Sequence, residues 1–194
     1  YADKVVARAL KKDKRWGSHD RKFVAETIYE IVRWKRLYAE IAEVKEPFDR
    51  DKIWRIFAVW AVLRGYTLPD WKYFEDTPVR RIKGRFDELS KIRKYRESIP
   101  DWMDELGVKE LGEETWTKEL AAQNEQAKVI LRVNKLKTTK EKLRAILMDL
   151  NIETEFHKDY PDALILTERA NVFLTDAFKD GLFEVQDASS QLVA

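Results

Sequence analysis

Apolar residues recur at steps of three and four from the start of the chain to about residue 126, and at steps of two in several short runs beyond it. The first regime predicts helices. Over residues 3–12, Val5, Val6, Ala9 and Leu10 share a face. From Ser18, read as an N-cap, the positions Phe23, Val24, Ile28, Ile31, Val32 and Trp34 predict one long helix to about Tyr38. Asp51 is the expected cap of the next helix, where Ile53, Trp54, Ile56, Phe57, Trp60, Ala61 and Leu63 fill more than one stripe. A helix apolar on several sides belongs at the centre of a bundle. Gly65 ends it, and a loop over 68–78 carries Trp71, Tyr73 and Phe74 as anchors. Val79, Ile82, Phe86 and Leu89 predict a helix to about Tyr95. Ser98-Ile99-Pro100-Asp101 reads as a capped helix start with proline in the first turn, where no N–H bond is lost. Gly107 and Gly112 are read as bracketing a turn before a helix over 115–124.

The second regime predicts a mixed unit. The branched run Val129 to Asn134 is a strand, and Thr138-Thr139-Lys140-Glu141 reads as a capping box ahead of Leu143, Ile146, Leu147 and Leu150 on one helical face. Strands are expected over 152–157, 163–166 and 182–185, with a short helical turn from Thr175 stopped by Asp180-Gly181. Asp187 looks like the cap of a further helix. The order strand, helix, strand, strand, helical turn, strand is the ferredoxin-like arrangement. The expected fold class is therefore an all-α bundle followed by a small α/β module.

Composition narrows the chemistry. The 194 residues include no cysteine and two histidines, His19 and His157, so thiolate zinc sites, disulfides and cysteine nucleophiles are excluded within this sequence. The six glycines match neither a dinucleotide fingerprint nor a phosphate-binding loop. No apolar run is long enough to span a membrane and no leader pattern precedes the first helix, so an intracellular chain without a membrane partner is expected, and with the two histidines far apart and no second ligand near either, no metal is expected.

Charge changes the picture more. The net charge of +2 conceals a split: residues 1–100 hold 25 Lys and Arg against 16 Asp and Glu, a balance of +9, whereas 101–194 balance at −7. The basic half is expected to meet a polyanion and to dominate a salt-sensitive binding of RNA, while the acidic half repels it. Lys11, Lys12, Lys14, Arg15, Arg21 and Lys22 surround Trp16 and His19, a cationic segment suited to phosphates. Arg33, Lys35 and Arg36 form a second group. Arg80, Arg81, Lys83, Arg85, Lys91, Arg93, Lys94 and Arg96 form a third, spread around its helix and in part merely solubilising. In the α/β module Arg132 and Asn134 alternate with Val133, so both face one side of a strand, and Lys135 and Lys137 follow. These four can touch phosphate and a base edge, or form an ordinary exposed sheet face. The carboxylates Asp176, Asp180 and Asp187 read as caps and turn residues.

The run from Ala177 through Gly181-Leu182-Phe183-Glu184-Val185-Gln186-Asp187 to Ala194 resembles the segment that enters the catalytic domain of bacterial RNA cytosine-5 methyltransferases of the Sun/NOL1/NOP2 family. Leu131-Arg132-Val133-Asn134-Lys135-Leu136-Lys137-Thr138-Thr139 and Tyr160-Pro161-Asp162-Ala163-Leu164 are similar to the same family, as is Ser98 to Trp102 as its linker. Asp20 to Val24 with Ile28 to Arg33 resembles its NusB-like helical domain. The resemblance implies a cytoplasmic enzyme that uses S-adenosylmethionine, attacks C6 of a cytosine with a cysteine, and methylates C5 of ribosomal or transfer RNA.

This sequence departs from that pattern by lacking cysteine and any glycine-rich cofactor motif. The expected organisation is a NusB-like RNA-binding domain over 1–97, a helical linker over 98–126, an RNA-positioning module over 127–186, and the start of a truncated methyltransferase domain over 187–194. On this reading the missing catalytic domain is a partner, the chain alone has no catalytic residue and holds no cofactor, and the full-length parent uses S-adenosylmethionine. The alternative is a stand-alone NusB-like factor of transcription or ribosome assembly that binds RNA and protein; a purely structural module is a third reading.

Overall fold

The computed structural model describes residues 2–12 and 15–193, with ten α-helices and one four-stranded sheet among them. Contacts divide the chain between Asn124 and Glu125 into two compact units.

The first unit holds α1 (Ala2–Lys12), α2 (Ser18–Arg33), α3 (Lys35–Ile41), α4 (Arg50–Leu63), α5 (Val79–Leu89), α6 (Arg93–Arg96), α7 (Asp101–Leu111) and α8 (Glu113–Asn124). As its apolar stripes predict, α4 is central: Ile56, Val59, Trp60, Ala61 and Val62 are buried against Leu37, Tyr38 and Ile41 of α3 and Ile82 and Leu89 of α5. Several expected caps are corrected. Asp49, with extended backbone, accepts from Lys52 N at 2.9 Å, which leaves Asp51 inside the first turn, where its charge still favours the helix N-terminus. Gly17 stands at the start of α2, and the carboxylate of Asp20 reaches back to its N–H at 2.9 Å, so Ser18 is the first helical residue. The long helix expected to Tyr38 breaks at Trp34, and the one expected to Tyr95 stops at Leu89.

Ser98 does not cap α7: it takes a left-handed φ of 52°, and Pro100 precedes the helix. Gly107 is not in a turn either. It lies buried within α7, and a methyl group there would fall inside the indole ring of Trp116 on α8. Gly112, at φ 76°, makes the turn alone. This α7–α8 hairpin, set apart as a linker in the sequence reading, packs within the first unit. Arg93 donates to Asp104 Oδ1 at 2.8 Å and to Glu113 at 3.2 Å, Trp116 Nε1 donates to Asp104 at 3.0 Å, and Asn124 donates to buried Glu97 at 2.6 Å.

The second unit runs β1 (Ile130–Val133), α9 (Lys140–Asp149), β2 (Thr154–Phe156), β3 (Ala163–Leu166), α10 (Asp176–Lys179) and β4 (Phe183–Val185). The strands lie in the order β2-β3-β1-β4 with every neighbour antiparallel, which is the ferredoxin-like topology. Register pairs Leu131 with Leu164 and Val185, and Val133 with Phe183. One face therefore collects Leu131, Val133, Leu164, Leu166 and Phe183, which bury Leu143 and Leu147 of α9 completely. Thr139, rather than Thr138, caps α9. Asp187 accepts from Ser189 N and Oγ at 2.9 and 2.6 Å, and the turn it holds is a 3-10 turn over Ser189–Leu192 rather than an α-helix.

Candidate nucleic-acid surfaces

The structure sorts the sequence-predicted cations by what their heads touch. Lys11 and Lys12 project exposed from the last turn of α1, Arg15 is exposed beyond it, and Lys14 lies outside the described residues. Arg21 turns back on its own chain, with Nε donating to Trp16 O at 3.0 Å, and Trp16 is half-buried. Lys22 faces Glu26 at 3.9 Å across an exposed helix turn, a pair of little energetic weight.

The second group borders a concavity of about 410 Å³ with Val32, Phe48 and Pro100, but its charges are engaged. Arg33 bonds Asn124, Lys35 meets Glu46 at 2.8 Å, and Arg36 bonds Ile99 O and Asp101 at 2.6 Å. Asp101, bonded by Arg36 and then Lys94, is held below the usual carboxylate range. These arginines tie helices together. Part of the third group is engaged in the same way: Arg81 meets Glu43 at 2.5 Å, Arg85 meets Glu43 at 3.5 Å, and Lys94 meets Asp101 at 3.0 Å, whereas Arg80, Lys83 and Lys91 are exposed. Asp104 is likewise held low, first by its bond from Arg93 and then by that from Trp116.

The second unit is different. Arg132, Asn134 and Lys135 line a groove of about 700 Å³ beside β4, together with Leu136, Gly181, Glu184 and Gln186. Arg132 Nη1 donates to Gln186 Oε1 at 3.2 Å, and Glu184 stands opposite Arg132 on β4 in the strand register. Lys135 meets Asp162 at 2.7 Å while staying largely exposed. Lys137 Nζ donates to the carbonyl of Asp180 at 2.6 Å, and an ammonium has two further donors. Asn134 departs from the expectation of a base reader. Its Nδ2 donates to Gly181 O at 2.9 Å and its Oδ1 accepts from Leu136 N at 3.1 Å, so its amide shapes the turn.

Dividing the charge at residue 100 concealed the main feature of this unit. From Lys128 to Arg144 the sequence holds seven cations against Glu141 alone, while the rest of 125–194 holds three against eleven acids. Lys140, Lys142 and Arg144 extend the stripe onto α9, with Lys140 and Arg144 5.2 and 5.0 Å from the ring of half-exposed Phe156. A running charge window would have found them.

The profile of the ferredoxin-like domain of RsmF/B-like methyltransferases matches residues 99–173. That stretch of the chain is thus similar to the ferredoxin-like domain of those methyltransferases. Along its whole length it is 27% identical to a probable ribosomal RNA small subunit methyltransferase B of Synechocystis, of which it covers 50%. Over 48% of the chain it is 36% identical to the ribosomal RNA small subunit methyltransferase B of Vibrio cholerae, covering 21% of that protein, and over 40% it is 36% identical to the Escherichia coli protein of that name, covering 18%. The crystal structure of PH0851 shares the fold at 20% identity and a TM-score of 0.61, over 96% of this chain and 48% of that one. The chain thus spans about half the length of the relative it matches throughout, and aligns with the amino-terminal part of these RsmF/B-like proteins. The match to the ferredoxin-like profile begins at residue 99, so it runs through the α7–α8 hairpin that packs with the first unit. No described helix is long and apolar enough to cross a membrane.

Proposed function

We propose that this chain is the RNA-binding, amino-terminal portion of a ribosomal RNA cytosine-C5 methyltransferase, and that its second unit presents substrate RNA to the catalytic part of the enzyme. The profile match over residues 99–173 together with the cation stripe on that same region supports the reading. Arg132, Lys135 and Lys137 contact phosphates along the groove, with Lys140 and Lys142 continuing the track. Lys11, Lys12, Lys14 and Arg15 add a sequence-independent contact from the first unit, which has the NusB-like role. The substrate is ribosomal RNA, after the names of the relatives.

The methyl donor of such an enzyme is S-adenosylmethionine, which supplies the methyl group. The residues present here do not fit it. The turn from β1 into α9 contains no glycine, and Thr139 Oγ1 already accepts from Lys142 N at 3.3 Å, so no glycine-rich cradle for the cofactor is present there. Cofactor and nucleophile therefore belong to the catalytic part.

Fluorescence anisotropy with a small-subunit ribosomal RNA hairpin over a salt series tests the reading. Binding weakens with a log–log slope of roughly −0.7 per neutralised phosphate on single strands. Replacing Lys135, Lys137, Lys140 and Lys142 together by alanine flattens that slope by about two units if three of them reach phosphate. Unchanged affinity and slope in that variant would refute the assignment.

A further inference from the structure

The tip of the turn between β1 and α9 carries a leucine that is 97% exposed, the most exposed large apolar side chain among the described residues. Single exposed leucines are ordinary on protein surfaces. Three observations set Leu136 apart. Its backbone is fixed: its N–H donates to Asn134 Oδ1 at 3.1 Å, Lys137 N and Thr138 N both donate to Asn134 O at 3.0 Å, and Asn134 Nδ2 anchors the turn to Gly181 O across from β4. Leu136 also stands between two lysines, on the rim of the groove that Arg132 lines. Finally, the turn sits mid-way along a stripe of seven cations and one acid. A pre-ordered turn holds an apolar group in water at little further entropic cost on binding, and the surrounding charge selects a polyanion that also offers apolar faces. Unpaired RNA bases are such a partner; a protein helix would need an apolar groove, and a lone projecting leucine is none.

We infer that Leu136 is an apolar wedge that packs against an unpaired base of the RNA whose phosphates the neighbouring lysines hold. This rests on the RNA-binding reading and adds to it a base contact made by a residue without hydrogen-bonding groups. The contact is insensitive to base identity and favours loops and bulges over continuous duplex, because only there is a base face open without unstacking a pair.

The test uses the full chain and an RNA hairpin carrying 2-aminopurine at one loop position at a time, read by fluorescence and anisotropy. In the unsubstituted chain one position changes fluorescence on binding. Leu136→Ala abolishes that change and weakens binding roughly tenfold, as loss of a partly buried leucine should, with the salt slope unaltered because no charge is removed. Leu136→Phe restores both. The side chain touches no core, so neither variant disturbs the fold. If Leu136→Ala binds within twofold of the original and keeps the fluorescence change, the wedge is wrong while the RNA reading stands. If the unsubstituted chain does not bind, both fall together.

Discussion

Two segments of this chain are about equally basic in sequence and differ in how many of their charges the fold pairs with acids. Residues 80–96 hold eight cations and two acids; residues 128–144 hold seven and one. In the first segment, Arg81, Arg85, Arg93, Lys94 and Arg96 each meet a carboxylate of the same unit, and Arg80, Lys83 and Lys91 are exposed. In the second, the ion pair among the described residues is Lys135 with Asp162, and Arg132, Lys137 and Arg144 bond neutral oxygens. The difference lies in what packs nearby. Helix α3 and the turn after it bring Glu40 and Glu43, and α7 and α8 bring Asp101, Asp104 and Glu113, to the first segment, whereas the second meets Asp162 beside Lys135 and Glu184 opposite Arg132. Net charge along a sequence thus counts ligands only where folding does not supply counter-ions.

That contrast can be broken by substitution. The largest effect falls on the packing that builds the acid-rich side. Gly107→Ala drives a methyl group into the ring of Trp116 and should destabilise the first unit by about 3 kcal/mol, even after the gain in helix propensity. Urea unfolding followed by circular dichroism should show the loss, while amide exchange in β1 and β3 stays at its original protection. Equal loss of protection in both units would contradict the division at residue 124.

Arg93→Ala comes next, at roughly 2 kcal/mol, since Asp104 loses a charge-assisted pair of bonds at a site little exposed to water. Its pH dependence has a definite sign. Asp104 is depressed in the folded state, so its contribution is complete above the ordinary carboxylate pKa of about 4 and is lost as pH falls through the lower folded value. Asp104→Asn should flatten the acid limb of a stability–pH curve; an unaltered limb would remove Asp104 from the account.

Asn134→Ala should cost about 1 kcal/mol in the second unit by freeing the turn from Gly181, and should weaken RNA binding through disorder of that turn. The smallest effect is expected from Arg81→Ala: within about 0.5 kcal/mol, with no change in the RNA salt slope, because its pair with Glu43 is exposed. A changed slope would show the first segment touching RNA after all.

Element types were readable because each regime kept its own period: α4 and the ferredoxin-like strand order follow from the apolar pattern. Boundaries were less so. Asp49 and Asp51 are equally good caps on paper, and only the extended backbone at Asp49 decides between them. Gly107 reads as a turn residue until Trp116, nine positions later, is seen to need its missing Cβ. At the candidate site, Arg132 and the lysines were legible as unbalanced charge. The hydrogen bonds of Asn134 were not legible, because alternation places a side chain on a face without revealing that a carbonyl 47 residues away accepts from it.

The direct test of the central claim is to map RNA contact along the backbone. An amide NMR titration of the chain with the ribosomal RNA hairpin should shift resonances most over 128–144, least over 80–96, and to a smaller degree near Lys11 and Arg15. Shifts concentrated in α5 and α6, with 128–144 unmoved, would contradict it.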